Sequence, residues 1–216
     1  MTNPAPRILL AALPLAGAAL LLAAPSQEER PKAPDKLLGE MESRRGPNWN
    51  VAREEGRFLN LLVRMTGAKH ALELGTSNGY SAIWLGLALA ETGGRLTTVE
   101  ISPERAREAR DNLARAGLAD RVTVLEGDAH KVARTLEGPF DFVFIDADMG
   151  NDLDYFNVLL PKLSPGGVML RHNAVRYAGT MKDYLEAARK HPELDTLILS
   201  ATMDDGFAVS YRKKKP

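Results

Sequence analysis

From Asn50 onward, apolar and polar positions alternate between two periods. Glu54–Met65 carries apolar residues at Phe58, Leu59, Leu61, Leu62 and Met65, a helical stripe. Short apolar runs then recur between helical stretches. They predict strands at 70–74, Leu96–Glu100, Val122–Glu126, Phe140–Ile145, Val168–Arg171, Thr196–Leu199 and Phe207–Tyr211. The intervening segments predict helices at 80–91, from Pro103 to near Gly117, and at 129–135, 152–162 and 179–190. Ser102 stands as N-cap ahead of Pro103. The run Phe140–Ile145 is almost wholly apolar, as a central parallel strand requires. Pro165-Gly-Gly167 predicts a turn into the fifth strand. Alternating strands and helices predict a doubly wound α/β domain with a mostly parallel sheet. The last two strands have no helix between them and should form an antiparallel hairpin at one edge.

The first strand runs into Glu73-Leu-Gly75-Thr76-Ser77-Asn-Gly79-Tyr-Ser81. A strand, a glycine turn and a helix N-terminus make the nucleotide corner of such a domain. A dinucleotide fingerprint needs a second glycine two residues after the first, and that position is Ser77. An adenosine ligand without a phosphate fits better, and S-adenosylmethionine (SAM) is the leading candidate. An NAD-dependent oxidoreductase is disfavoured for the same reason.

Ligands of open α/β sheets sit beyond the C-terminal strand ends, so the polar residues there are the candidates. Glu100 ends the second strand, where a carboxylate accepts ribose hydroxyls. Glu73 lies inside a strand and needs a partner, either backbone or the ligand's ammonium group. Thr76, Ser77 and Ser81 surround the turn and are positioned for the methionine carboxylate. Asp128 and Ala129 follow the third strand at the adenine edge, although Asp128 also reads as a plain helix N-cap. The fourth strand ends in Asp146-Ala-Asp148 and the fifth in Arg171-His172-Asn173. If these strands are neighbours, Asp146, His172 and Asn173 converge on one cation; the competing reading is an ordinary hydrogen-bonded loop.

Composition narrows the remaining classes. The 216 residues carry 28 basic and 28 acidic side chains, a formal net charge of zero, so nothing argues for nucleic acid. There is no cysteine, which excludes disulfides and thiolate chemistry. Residues 1–26 are a separate object. Arg7 precedes an apolar run at 8–24, interrupted only by Pro14 and Gly17, which reads as a secretory signal or as a membrane anchor. The segment implies an exported or membrane-tethered protein. An inward-facing anchor or a start at Met41 implies a cytoplasmic one. Residues 27–48 read as a linker and lid segment, and 49–216 as the catalytic domain.

Asn50-Val51-Ala-Arg-Glu-Glu-Gly-Arg-Phe-Leu59, Glu73 through Ser81, Phe142-Val-Phe-Ile-Asp-Ala-Asp148, Pro165-Gly-Gly-Val168 and Asp205-Gly-Phe-Ala-Val209 together resemble the cation-dependent O-methyltransferases. This is the group of catechol and caffeoyl-CoA O-methyltransferases and their small bacterial members. The resemblance implies a Rossmann-like class I SAM methyltransferase fold with seven strands. It implies that Val51, Glu73, Gly75, Ser81, Glu100, Ala129 and Asp148 line the SAM site. It also implies that Asp146 binds metal and acceptor, and that His172 and Asn173 complete the metal site. The acceptor is then a small molecule, aromatic with vicinal hydroxyls; dimers are common among relatives. Trp49, in the lid stretch Arg44–Trp49, reads equally as a stacking partner for the acceptor or as simple packing of the lid.

Two departures stand out. The family places Asp where this chain has His172, which shifts preference from Mg²⁺ towards Mn²⁺ or softer ions. It commonly places a proton-accepting Lys where this chain has Met149. Without a metal, His172 becomes the candidate base. The departures also motivate a second reading, a SAM-binding protein that has lost catalysis and serves as an envelope-tethered sensor or scaffold.

Overall fold

The computed structural model describes residues 33–43, 50–200 and 205–214. Seven strands form one sheet in the order β3-β2-β1-β4-β5-β7-β6. They are β1 (His70–Leu74), β2 (Arg95–Glu100), β3 (Val122–Glu126), β4 (Phe140–Ile145), β5 (Leu163–His172), β6 (Leu194–Leu199) and β7 (Phe207–Arg212). The first five run parallel. β7 lies antiparallel between β5 and β6, so the predicted edge hairpin forms with β7 inward. The described helices are α1 (Ala33–Glu42), α2 (Arg53–Thr66), α3 (Tyr80–Thr92), α4 (Pro103–Arg115), α5 (Ala129–Thr135), α6 (Asp152–Leu159) and α7 (Lys182–Lys190).

Two apolar layers hold the sheet, one on each face. One joins Leu59 and Val63 of α2 and Ile83 and Leu85 of α3 to Phe142 and Phe144. The other joins Leu72, Val143 and Ile145 to Tyr155, Phe156 and Tyr184. The alternation along β4 splits its side chains between the two, so the strand is buried on both faces. Local rules set the helix ends. Ser102 Oγ accepts the Arg105 amide at 3.3 Å, and Pro103 opens α4. Gly67 closes α2 in the left-handed region.

The structure differs from expectation at four places. Part of the stretch read as linker folds into α1, which buries Leu37, Leu38 and Met41; spacing i, i+1, i+4 makes an apolar face despite the charged composition. α6 ends at Leu159 and passes into a 3₁₀ turn, Leu160–Lys162, because Pro161 has no amide to extend the helix. β5 begins at Leu163, so Pro165-Gly-Gly167 sits within the strand as a register shift against β4. α7 begins at Lys182, after a turn. The apolar run at 8–24 and the Arg44–Trp49 stretch lie outside the described residues. Among the described residues no helix is long and apolar enough to cross a membrane.

Candidate active site

A cleft of about 760 Å³ opens at the C-terminal ends of the central strands. Among the described residues, every cofactor, catalytic and metal candidate proposed from sequence lines it, with the exception of Glu73. Its floor is the glycine turn after β1. Gly75 adopts φ +96°, and a Cβ there would lie 2.1 Å from the Asp146 carbonyl oxygen. Glycine is therefore required by the close approach of β1 and β4. The amide of Asp146 donates to the Leu74 carbonyl at 2.8 Å, which fixes the end of β4 against the turn. Ser77 takes φ +48°, the left-handed conformation that the missing glycine would have supplied.

Glu100 braces this turn. One carboxylate oxygen accepts the Ser77 amide at 2.7 Å and the other the Ser102 amide at 3.0 Å. Each oxygen keeps a second acceptor site towards the cleft. Thr98 Oγ1 donates to Glu73 Oε2 at 2.6 Å and lies 2.5 Å from Thr76 Oγ1. Glu73 is fully buried and its partner is a hydroxyl, not backbone. Burial pushes its carboxyl up to about 7, against the hydroxyls of Ser81 and Thr98, which favour the charged form.

After β3, Asp128 caps α5 by accepting the amides of His130 at 2.9 Å and Lys131 at 3.3 Å, the plainer of its two readings, while also lining the cleft. Asp148 Oδ1 accepts the Tyr155 hydroxyl at 2.5 Å, and Asp148 Oδ2 lies 3.3 Å from His130 Nε2. The His130 ring stacks on Tyr155 with centroids 3.9 Å apart, and its Nδ1 lies 2.7 Å from Asp154. The spacing of these residues gave no sign of this arrangement.

The neighbouring ends of β4 and β5 bring Asp146, His172 and Asn173 together. His172 Nδ1 is 2.9 Å from Asp146 Oδ1, and Asn173 Nδ2 is 3.4 Å from the same oxygen. Asn173 takes φ +64°, which turns its amide back over the strand end. His172 Nε2 lies 3.1 Å from Glu55 Oε1, a contact that spans 117 positions of sequence. Glu55, His172 and Asp205 also form a compact group of three ligating side chains, two carboxylates and an imidazole. Burial lowers the affinity of the His172 ring for a proton, but the Asp146 carboxylate and Glu55 outweigh it and push the ring up to about 10. Burial likewise disfavours charge on Asp146, yet the imidazolium and Arg171 hold its carboxyl below the ordinary range. His172 thus has a carboxylate facing each of its ring nitrogens.

Beneath the cluster lies a pair that sequence reading missed. Arg171 is fully buried; its Nε donates to Asp152 at 2.6 Å, and its two Nη groups donate to the carbonyls of Ile145 at 3.1 Å and Asp148 at 3.0 Å. It therefore clamps the backbone on both sides of Asp146. A charged residue directly following the apolar run Val168–Leu170, still within β5, was the signal available. Met149 lines the cleft 42% exposed, with no group able to take a proton.

Comparison with known proteins places these features in a family. A family model described as O-methyltransferase matches residues 27–206. A catechol O-methyltransferase of Mycobacterium tuberculosis is 37% identical over 179 residues, which cover 76% of this chain and 81% of that protein. A caffeoyl-CoA O-methyltransferase of Eucalyptus globulus is 31% identical over 147 residues, covering 64% and 59%. Among solved structures, an O-methyltransferase from Bacillus cereus in complex with SAH is similar with a TM-score of 0.74 at 34% identity, covering 83% of this chain and 90% of that one.

Proposed function

The chain belongs to the O-methyltransferase family and is a SAM-dependent O-methyltransferase; on that premise we propose that its acceptor is a small aromatic molecule with two vicinal hydroxyls, held beside Asp146 together with a divalent cation. The observation that carries this reading is the convergence of Asp146, His172 and Asn173 at one corner of the cleft. Relatives named for catechol and caffeoyl-CoA support the acceptor class.

The donor set fits a cation. Asp146 offers a carboxylate oxygen, His172 its Nδ1, and Asn173 its amide oxygen once the amide is turned to put oxygen in place of nitrogen. Mixed imidazole and oxygen donors suit Mn²⁺, Fe²⁺, Ni²⁺ or Zn²⁺ better than Mg²⁺. When bound, the cation would lower the pKa of an acceptor hydroxyl and hold both oxygens. When bound, SAM would supply an electrophilic methyl with S-adenosylhomocysteine as the leaving group, and the proton of the cation-acidified hydroxyl would pass to solvent.

The chain's own residues set the geometry. Glu100, braced by two amides, receives the ribose hydroxyls at the end of β2. Asp148, steadied by Tyr155 and His130, closes the cleft between the cofactor and acceptor regions. The turn 75–79 and the clamp from Arg171 fix the floor against which the methyl donor and the acceptor would be oriented, and most of the rate enhancement would come from that alignment. Met149 has no group to take the proton, so the rate should depend on the added cation.

The test is turnover of SAM with 3,4-dihydroxylated aromatic acceptors after exhaustive chelation, then with Mg²⁺, Mn²⁺ or Zn²⁺ restored. Activity that is lost on chelation and returns best with Mn²⁺ supports the reading. Full activity in the chelated protein refutes the cation. No turnover of any vicinal diol by metal-loaded protein refutes the acceptor class.

A further inference from the structure

We infer that Glu55 is a positioning residue for the cation corner, acting from α2 through the Nε2 nitrogen of His172. The inference rests on the proposed cation at Asp146, His172 and Asn173. Glu55 is 1% exposed and its two oxygens do different work. Oε2 accepts the Ala52 amide at 2.7 Å, closing the N-terminus of α2. Oε1 faces His172 Nε2 at 3.1 Å.

The two ring nitrogens of one imidazole point apart, so a single ion can take only one. Nδ1 is the nitrogen that faces Asp146, with Asn173 on the same oxygen. Either carboxylate accepts a ring N–H, so with a cation in place of hydrogen at Nδ1 the remaining ring hydrogen sits on Nε2 and donates to Glu55. Glu55 thus selects the tautomer and fixes the ring plane, as carboxylates behind ligating histidines do.

Charge points the same way: two carboxylates, Asp146 and Glu55, face one imidazole, and a divalent cation would offset both. Asp205 adds a third carboxylate to the neighbourhood, but its Oδ1 already accepts Arg176 Nη1 at 3.1 Å.

The experiment is calorimetric titration of Mn²⁺ into the full chain saturated with SAH, backed by the Mn²⁺ electron paramagnetic resonance signal. Glu55→Gln is the first variant, because glutamine preserves the acceptor for the Ala52 amide. Its Mn²⁺ affinity should fall about 10- to 100-fold while the melting temperature stays close to that of the parent. In the His172→Asp background, which has no ring to orient, Glu55→Gln should change affinity less than about 3-fold, well below that range. Parent-like Mn²⁺ affinity in Glu55→Gln overturns the role of Glu55 and leaves the cation reading intact. Absence of Mn²⁺ binding in the parent overturns the cation reading and this inference with it. Binding that survives Asp146→Ala but is lost in Asp205→Asn puts the ion on the Nε2 side, and also overturns it.

Discussion

Arg171→Met isolates the clamp beneath the corner formed by Asp146, His172 and Asn173. Arg171 is fully buried and Asp152 is 3% exposed, so the pair is shielded from solvent. Methionine fills much of the same volume but leaves the Asp152 carboxylate with the Gly150 amide as its remaining hydrogen-bond donor, at 3.0 Å. The carbonyls of Ile145 and Asp148 also lose their donors. Breaking a buried pair in this way costs about 3–5 kcal/mol. For a chain of this size that is a fall of roughly 6–20 °C in melting temperature. Urea unfolding at constant m-value measures the first figure, and calorimetry the second. A double variant, Arg171→Met with Asp152→Leu, should recover most of the loss, since apolar replacement of a whole buried pair is often neutral. SAM affinity should fall in the single variant, because the clamped carbonyls flank Asp146. A loss below about 1 kcal/mol, well under the range for a broken buried pair, would refute the clamp. So would a double variant as unstable as the single one.

Glu73 gives a pH signature in the unliganded protein. Its folded pKa of about 7 lies above the ordinary 4.5, so the folded state holds its proton more tightly. Stability should therefore fall as pH rises from about 4.5 to 7, by up to about 3 kcal/mol, and Glu73→Gln should flatten that part of the melting profile; an unchanged slope in the variant contradicts this. Gly75→Ala should cost at least about 2 kcal/mol, from a Cβ placed 2.1 Å from the Asp146 carbonyl at positive φ, and should weaken acceptor turnover by displacing Asp146. A parent-like melting temperature would count against that contact. Met149→Lys supplies a proton acceptor at the cleft and should raise methyl transfer at neutral pH, read from the pH profile of kcat; an unchanged or lower rate argues that no base is missing.

Local signals carried most of the fold. The apolar run Phe140–Ile145 became β4 with the expected bounds, Ser102-Pro103 became the cap and first turn of α4, and the glycine turn stands at the end of β1. Segments whose composition disguised their period were harder. α1 hides Leu37, Leu38 and Met41 among charged residues, and Pro165 sits in β5 only because a register shift admits it. Asp146, His172 and Asn173 were legible as a group because adjacent parallel strands end together. Glu55 was not, since its partner stands in another element and the local pattern explains it fully as a helix cap. Arg171 was named in the sequence only as a strand residue; its clamping role depends on Asp152, which belongs to a helix on the far side of the loop.

The most direct test of the account is single-turnover transfer of a trideuterated methyl group from SAM to a 3,4-dihydroxylated aromatic acceptor, with Mn²⁺ present, followed by mass spectrometry. The parent protein should yield a mono-O-methylated product carrying the label, and Asp146→Ala should retain SAM binding while losing at least about 100-fold in rate, on the order expected for removing one charge-stabilising group. A parent protein that binds SAM but transfers no label to oxygen would contradict the proposed reaction, and an Asp146→Ala variant with parent-like transfer would contradict the site.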